Sequence, residues 1–167
     1  MIYSIDPNEA ERLAALHRYG ILDTPSEETF DRITRLAKFA LDVPIVLVSL
    51  IDSNRQWFKS KQGLDTPETP RDISFCTHAI QQDAALIITD ALDDPRFREN
   101  PLVTGPPYIR FYIGVPLRTP DGHNIGTLCA IDQQPRELSD DDIHILRDLA
   151  GLVMDALELR RLAAIAA

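Results

Sequence analysis

Cysteine is scarce in this chain. Cys76 and Cys129 are its only two, too few for a disulfide framework, so a reducing cytoplasm is the expected setting. Basic residues are outnumbered, 17 Lys and Arg against 26 Asp and Glu, and the formal net charge is -9. That argues against nucleic acid as a partner, because phosphate contacts need a basic patch. No basic run exceeds two residues, which also removes the polybasic segment that holds proteins to anionic membrane surfaces. Long apolar runs are missing as well. The longest are strand-length, far short of the ~20 residues of a membrane span. The first residues, Met1 to Asp6, lack the basic start and apolar core of a signal peptide. There is no Gly-rich phosphate loop, no cluster of metal-ligating side chains, no internal repeat and no low-complexity tract.

What is present is an ordinary globular balance, 44% hydrophobic and 26% charged. A chain of this size buries roughly 70% of the surface it exposes unfolded and needs no staple. The simplest organisation is one domain over 1–167: N-terminal helices at about 7–42, a sheet core at about 45–132 and a C-terminal helix at about 139–165. The pattern centres on Ile109 to Asp132. Two runs rich in β-branched and aromatic residues flank Thr119-Pro120-Asp121-Gly122-His123. Pro120 presets the second position of a β-turn and Gly122 supplies a positive φ at its exit, so a β-hairpin is expected. Its arms are too apolar to lie at a sheet edge. Gly114 and Gly126 lie inside the arms, where glycine marks a bulge or a close approach.

Elsewhere, Asp6 and Pro7 open a first helix that Gly20 closes, with Leu13 and Leu16 on one stripe. Ser26 is the expected cap of a second helix, with Glu27 and Glu28 in its first turn. Ile45 to Asp52 is a nearly continuous apolar run and reads as a central strand, Arg55 to Gln62 as its partner. Leu64 to Arg71 carries Pro67 and Pro70 and reads as a loop. Ser74 to Gln82 looks helical and Leu86 to Thr89 is a short strand. Asp90 to Pro107 is too long for a plain connector, and such loops are functional or partly helical. Ser139 caps the last helix, with Asp140, Asp141 and Asp142 in its first turn.

That last helix carries two apolar rows. Ile145, Leu149, Leu152, Ala156 and Leu159 form one; Ile143, Leu146, Ala150, Val153 and Leu157 form the other. A helix that only covers a sheet needs one stripe. The doubled pattern predicts that one row meets the domain and the other a second chain, with Leu13 and Leu16 contributing to the same seam. The plain alternative is one wide stripe buried within a single chain.

Several blocks then occur in a specific order: Pro44-Ile45-Val46-Leu47-Val48-Ser49-Leu50-Ile51-Asp52, Arg55-Gln56-Trp57-Phe58-Lys59-Ser60, Arg71-Asp72-Ile73-Ser74-Phe75-Cys76-Thr77-His78, Asp94-Pro95-Arg96-Phe97, and Gly114-Val115-Pro116-Leu117 with Gly126-Thr127-Leu128-Cys129-Ala130-Ile131-Asp132. Together they resemble the GAF domain, a small-molecule-sensing relative of the PAS fold, in the bacterial subgroup found ahead of histidine kinase and diguanylate cyclase domains. The resemblance implies an α+β fold: a six-stranded antiparallel sheet with N- and C-terminal helices on one face and a ligand pocket on the other. It implies a homodimer through the terminal helices, and a histidine kinase or diguanylate cyclase as output partner. It names no ligand or cofactor. A stand-alone module and a fragment of a larger sensor are both consistent with it.

The pocket is expected between the outer face of the hairpin and the Ser74–Gln82 helix, under the Asp90–Pro107 loop. The candidate ligand-binding residues are Phe75, Cys76, His78, Asp90, Arg96, Arg110, Tyr112 and Thr127, aromatic groups with a few polar ones. Gly114 and Gly126 are expected to leave room there. Arg110 opens an apolar strand, so its charge needs a partner. Asp90 and Asp94 are the candidates, and an anionic ligand is the alternative. Cys76 and His78 stand two apart and point about 200° apart on a helix, which suits neither a metal pair nor a nucleophile with its base. Cys129 reads as core. A bilin attached at Cys76 lacks the flanking pattern. No catalytic residue is assigned, and a sensory module without turnover is expected. The alternatives are a thiol enzyme of the free methionine sulfoxide reductase type and a ligand-free dimerisation module.

Overall fold

The computed structural model describes residues 7–166; the expected cap Asp6 lies outside them. Helix α1 spans Glu9–Arg18, with Glu9 and Glu11 at its positive end and His17 and Arg18 at its negative end. Helix α2 spans Glu28–Leu41. Its cap is Glu27 rather than Ser26, and it stops at Asp42 in the left-handed region, φ 52°. Strands β1 (Ile45–Ile51) and β2 (Arg55–Gln62) follow as read from the sequence. The Leu64–Arg71 stretch is not all loop: Glu68–Pro70 adds a short strand, β3. It pairs with β2 alone and so forms a sheet edge, where proline is tolerated. Then come α3 (Phe75–Ala79), capped by the Ser74 side chain, β4 (Leu86–Ile88) and, within the long loop, the single turn α4 (Pro101–Thr104), capped by Asn100. The hairpin is β5 (Phe111–Arg118) and β6 (Asn124–Asp132).

The sheet is six-stranded, in the order β3-β2-β1-β6-β5-β4, with antiparallel pairing throughout. Every residue of β1 is buried, as expected of a strand covered on both faces. The hairpin turn closes with the Gly122 amide donating to the Thr119 carbonyl at 2.9 Å, Gly122 at φ +91°. In β6, a side chain at Gly126 would sit 2.0 Å from the Ser49 carbonyl oxygen. Glycine is what lets β6 lie this close to β1.

Strand alternation divides the apolar residues between two faces. On one, Val46, Val48 and Leu50 meet Leu16 of α1, Phe30 and Ile33 of α2, and helix α5 (Asp140–Ala166). On the other, Leu47, Cys129 and Ile131 meet Phe75, Phe97 and Tyr112. Ser139 and Asp142 cap α5 reciprocally: the Asp142 amide donates to Ser139 Oγ, and the Ser139 amide to Asp142 Oδ2.

The two rows of α5 separate. Leu146, Ala150, Val153 and Leu157 are buried against α2 and the sheet, while Ile145, Leu152 and Leu159 face outward, Leu159 with 68% of its surface exposed. Two expected seam residues are corrected. Leu16 is wholly buried in its own chain's core, and Leu149 turns inward with the other row. Leu13 is half-buried and Ala156 lies at the boundary between the rows. Helix α2 adds a residue that periodicity hid: Phe39 is 87% exposed, beside half-exposed Leu36.

Candidate functional site

The space expected to be a pocket under the long loop is filled. Phe75 of α3 stacks on Phe97 of the loop at 4.3 Å between ring centres, and Tyr112 of β5 leans on Phe75 at 5.2 Å. Neither glycine leaves room. The Tyr112 ring lies over Gly114, where a Cβ would come within 2.1 Å of the tyrosine oxygen, and β1 backbone covers Gly126. The aromatic residues gathered here are therefore core, and their payload of buried area holds the loop to the sheet.

Four of the eight candidate residues, Phe75, Cys76, Tyr112 and Thr127, do meet at this place, and all are buried. The Tyr112 hydroxyl and the Thr127 hydroxyl each donate to Cys76 Sγ at 3.1 Å. Burial pushes the Cys76 thiol up, but hydrogen bonds from Cys129, Thr127 and Tyr112 outweigh it and bring the pKa down to about 7. The same contact with Cys76, together with burial, pushes Cys129 well up; burial, then the charge on Cys76, does so for Tyr112. Beside them Gln56 Oε1 accepts from Ser49 Oγ at 2.8 Å and from Ser74 Oγ at 2.9 Å, and its Nε2 donates to Thr69 Oγ1 at 2.8 Å. Periodicity places Ser49 and Gln56 on facing strands but gives no sign that they share a network.

The charged candidates do not join the hydrogen bonds around Cys76, although Arg96 and His78 meet at the Phe97 ring. Arg96 is clasped by Asp94, Nη2 to Oδ2 at 2.8 Å, and lies over the Phe97 ring. His78 packs edge-on against the same ring at 4.9 Å. Its pKa falls through burial and the Arg96 charge, against a smaller pull from Asp94. Asp90 caps the next turn by accepting from the Leu92 amide. Arg110 bonds neither expected aspartate. It donates to the carbonyls of Val103 and Ile109 at 2.9 and 3.0 Å, pinning α4 to the strand.

A cavity does exist on this face, nearer the other end of the sheet. It holds about 200 Å³ between β1, β2 and β6 below and the 64–66 loop, α4 and Pro106-Pro107 above. Ile45, Leu47, Phe58, Leu102, Ile109 and Ile131 form most of its wall, and Gln56, Thr66 and Thr69 are its polar members. None of the eight sequence candidates lines it. Its wall is drawn from strand and loop residues scattered between positions 45 and 131, and no local pattern announces such a place. Among the described residues no helix is long and apolar enough to cross a membrane.

Comparison with known proteins bears on these features. The chain is 43% identical over 155 residues to a cyclic di-GMP phosphodiesterase of Pseudomonas aeruginosa, which covers 92% of this chain and 26% of the relative. The chain thus spans about a quarter of that protein's length. The expectation of a protein without turnover is corrected by this match, since the relative is by name an enzyme. Among solved structures, the GAF domain of an Acinetobacter phosphoenolpyruvate-protein phosphotransferase superposes with a TM-score of 0.66 at 17% identity, covering 92% of this chain and 95% of that one. A free methionine-R-sulfoxide reductase from Neisseria meningitidis superposes with a TM-score of 0.66 at 20% identity, covering 98% and 97%. At such identities these two show the fold alone. The GAF domain family model matches residues 25–157, from just before α2 to the last buried turn of α5, and the chain belongs to the GAF domain family.

Proposed function

We propose that this chain is the sensory part of a cyclic di-GMP signalling protein, that it dimerises through α5, and that it controls the hydrolysis of cyclic di-GMP by an attached output domain. The match to a cyclic di-GMP phosphodiesterase over 92% of this chain and 26% of the relative carries the reading. It favours a phosphodiesterase output over the histidine kinase or diguanylate cyclase expected from the sequence. The split rows of α5 support the rest. At 1.5 Å per residue its 27 residues span about 40 Å. One side is packed into the domain, while Ile145, Leu152 and Leu159 form an outward stripe at coiled-coil spacing. A helix held this way transmits a change in the sheet to whatever continues from it.

Sedimentation of the wild-type chain at tens of micromolar should give a dimer, and the Leu152→Glu, Leu159→Glu double variant a monomer. In the full-length protein the same pair should change cyclic di-GMP hydrolysis several-fold. A monomeric wild type, or hydrolysis indifferent to the pair, would overturn the proposal.

A further inference from the structure

We propose that the cavity over β1, β2 and β6 binds a small uncharged molecule with an apolar body and one hydrogen-bond acceptor, and that it does not take a nucleotide. The inference deepens the sensory reading above and rests on it for its biological meaning.

The wall sets the class. No residue lining the cavity is charged. An anion placed there would lose its hydration without gaining a cation, a cost of many kcal/mol that binding does not recover. Of the cations that adjoin lining residues in the sequence, Arg110 is engaged by the Val103 and Ile109 carbonyls and Lys59 by Glu27.

The polar corner sets the functional group. Gln56 Oε1 already accepts two hydrogen bonds, from Ser49 and Ser74, so its lone pairs are used. Its Nε2 gives one proton to Thr69. The second amide proton and the Thr69 hydroxyl proton have no acceptor among the described residues. The corner therefore offers donors, and it selects a carbonyl, ether or alcohol oxygen.

Volume sets the size. About 200 Å³ lies between the ~150 Å³ that holds a benzene and the ~300 Å³ at which drug-sized sites begin. A single ring with a short substituent fits. A cyclic dinucleotide, with two bases and two phosphates, does not. The domain would then report on a compound other than the cyclic dinucleotide that its relative hydrolyses.

The test uses the 167-residue chain and three ring probes of nearly equal size: benzyl alcohol, benzoate and toluene. Calorimetric titration should show saturable binding of benzyl alcohol at least tenfold tighter than benzoate, and no competition from cyclic di-GMP. Thr69→Val keeps the shape and removes the hydroxyl. It should weaken benzyl alcohol roughly fivefold, one hydrogen bond's worth, and leave toluene unchanged. Leu102→Trp, on the half-buried α4 turn, should fill the cavity and abolish binding of both. Benzoate binding as well as the alcohol, cyclic di-GMP displacing the probe, or no saturable binding of any neutral probe would each overturn the inference. The readout is binding to the chain itself. A failure here leaves dimerisation and control of hydrolysis standing, and a monomeric wild type leaves this result standing.

Discussion

The Tyr112 ring lies across Gly114, two residues along its own strand, and from there its hydroxyl reaches Cys76 Sγ at 3.1 Å. Successive residues of one face of a strand carry a large and an absent side chain, so the ring lies flat along the sheet. Tyr112→Phe keeps the ring and removes a donor from Cys76. The thiol should then titrate higher than in the wild type, read as thiolate absorbance against pH, with a stability loss of about 1 kcal/mol. An unchanged midpoint would show that the tyrosine does not tune the thiol.

Gly114→Ala tests the same relationship from the other side. The new methyl would fall 2.1 Å from the Tyr112 oxygen, and the ring must leave. Loss of the hydroxyl contact and of the ring stacking should cost about 2 kcal/mol in a urea titration. Gly126→Ala should be worse, about 3 kcal/mol or more, because there the obstacle is the Ser49 carbonyl of the neighbouring central strand, which has no rotamer to change.

Glu9 sets an acid limit. Burial raises its pKa, but Arg12 at 2.8 Å and Arg71 at 2.5 Å bring it down to about 2. A carboxylate whose folded pKa is depressed contributes stability above its unfolded pKa, near 4.5, and loses it as pH falls toward 2. Wild-type unfolding free energy should drop by on the order of 1–2 kcal/mol across that window, after allowance for solvent screening. Glu9→Gln should be less stable at pH 6 and lack that part of the slope. Parallel curves for the two proteins would exclude Glu9 as the source.

Phe39 tests how far the proposed seam extends. It is 87% exposed on α2, and α2 packs beside α5. If the second chain lies across both helices, Phe39→Ser should weaken the dimer about tenfold and leave monomer stability within about 0.5 kcal/mol. A dimer constant unchanged by the substitution confines the seam to α5.

Much of this fold can be read from the chain because its elements obey local rules. β1 is an apolar run broken only by Ser49, the hairpin announces its turn at Pro120 and Gly122, and α5 carries a reciprocal cap at Ser139 and Asp142. β3 escapes that reading because three residues ending in Pro70 have no period. Its pairing depends on β2 lying alongside. The site was less legible for a related reason. Gly114 signals a close approach truthfully, but whether a ligand or a ring supplies it is decided by the Tyr112 rotamer, which the sequence does not display. Arg110 needed a partner, and backbone carbonyls, which every residue has, leave no mark in a sequence. The cavity rests on residues such as Leu64, Leu102 and Pro107 that meet only when distant loops fold over the sheet.

The end of α5 is fastened by charge and not by packing. Its buried positions stop at Leu157. Beyond them, Arg160 Nε reaches Glu27 at 2.9 Å, Glu27 also holds the buried Lys59 of β2, and Glu158 meets the Tyr19 hydroxyl. Within one chain, these polar ties are what hold the helix end against the domain. Their Debye screening length shrinks from ~10 Å at 0.1 M salt to ~3 Å at 1 M, and Glu27, only partly buried, is open to that screening. Ionic strength is thus a dial on how firmly the last turns of this helix are docked, and it acts through Glu27, which also anchors Lys59 of β2.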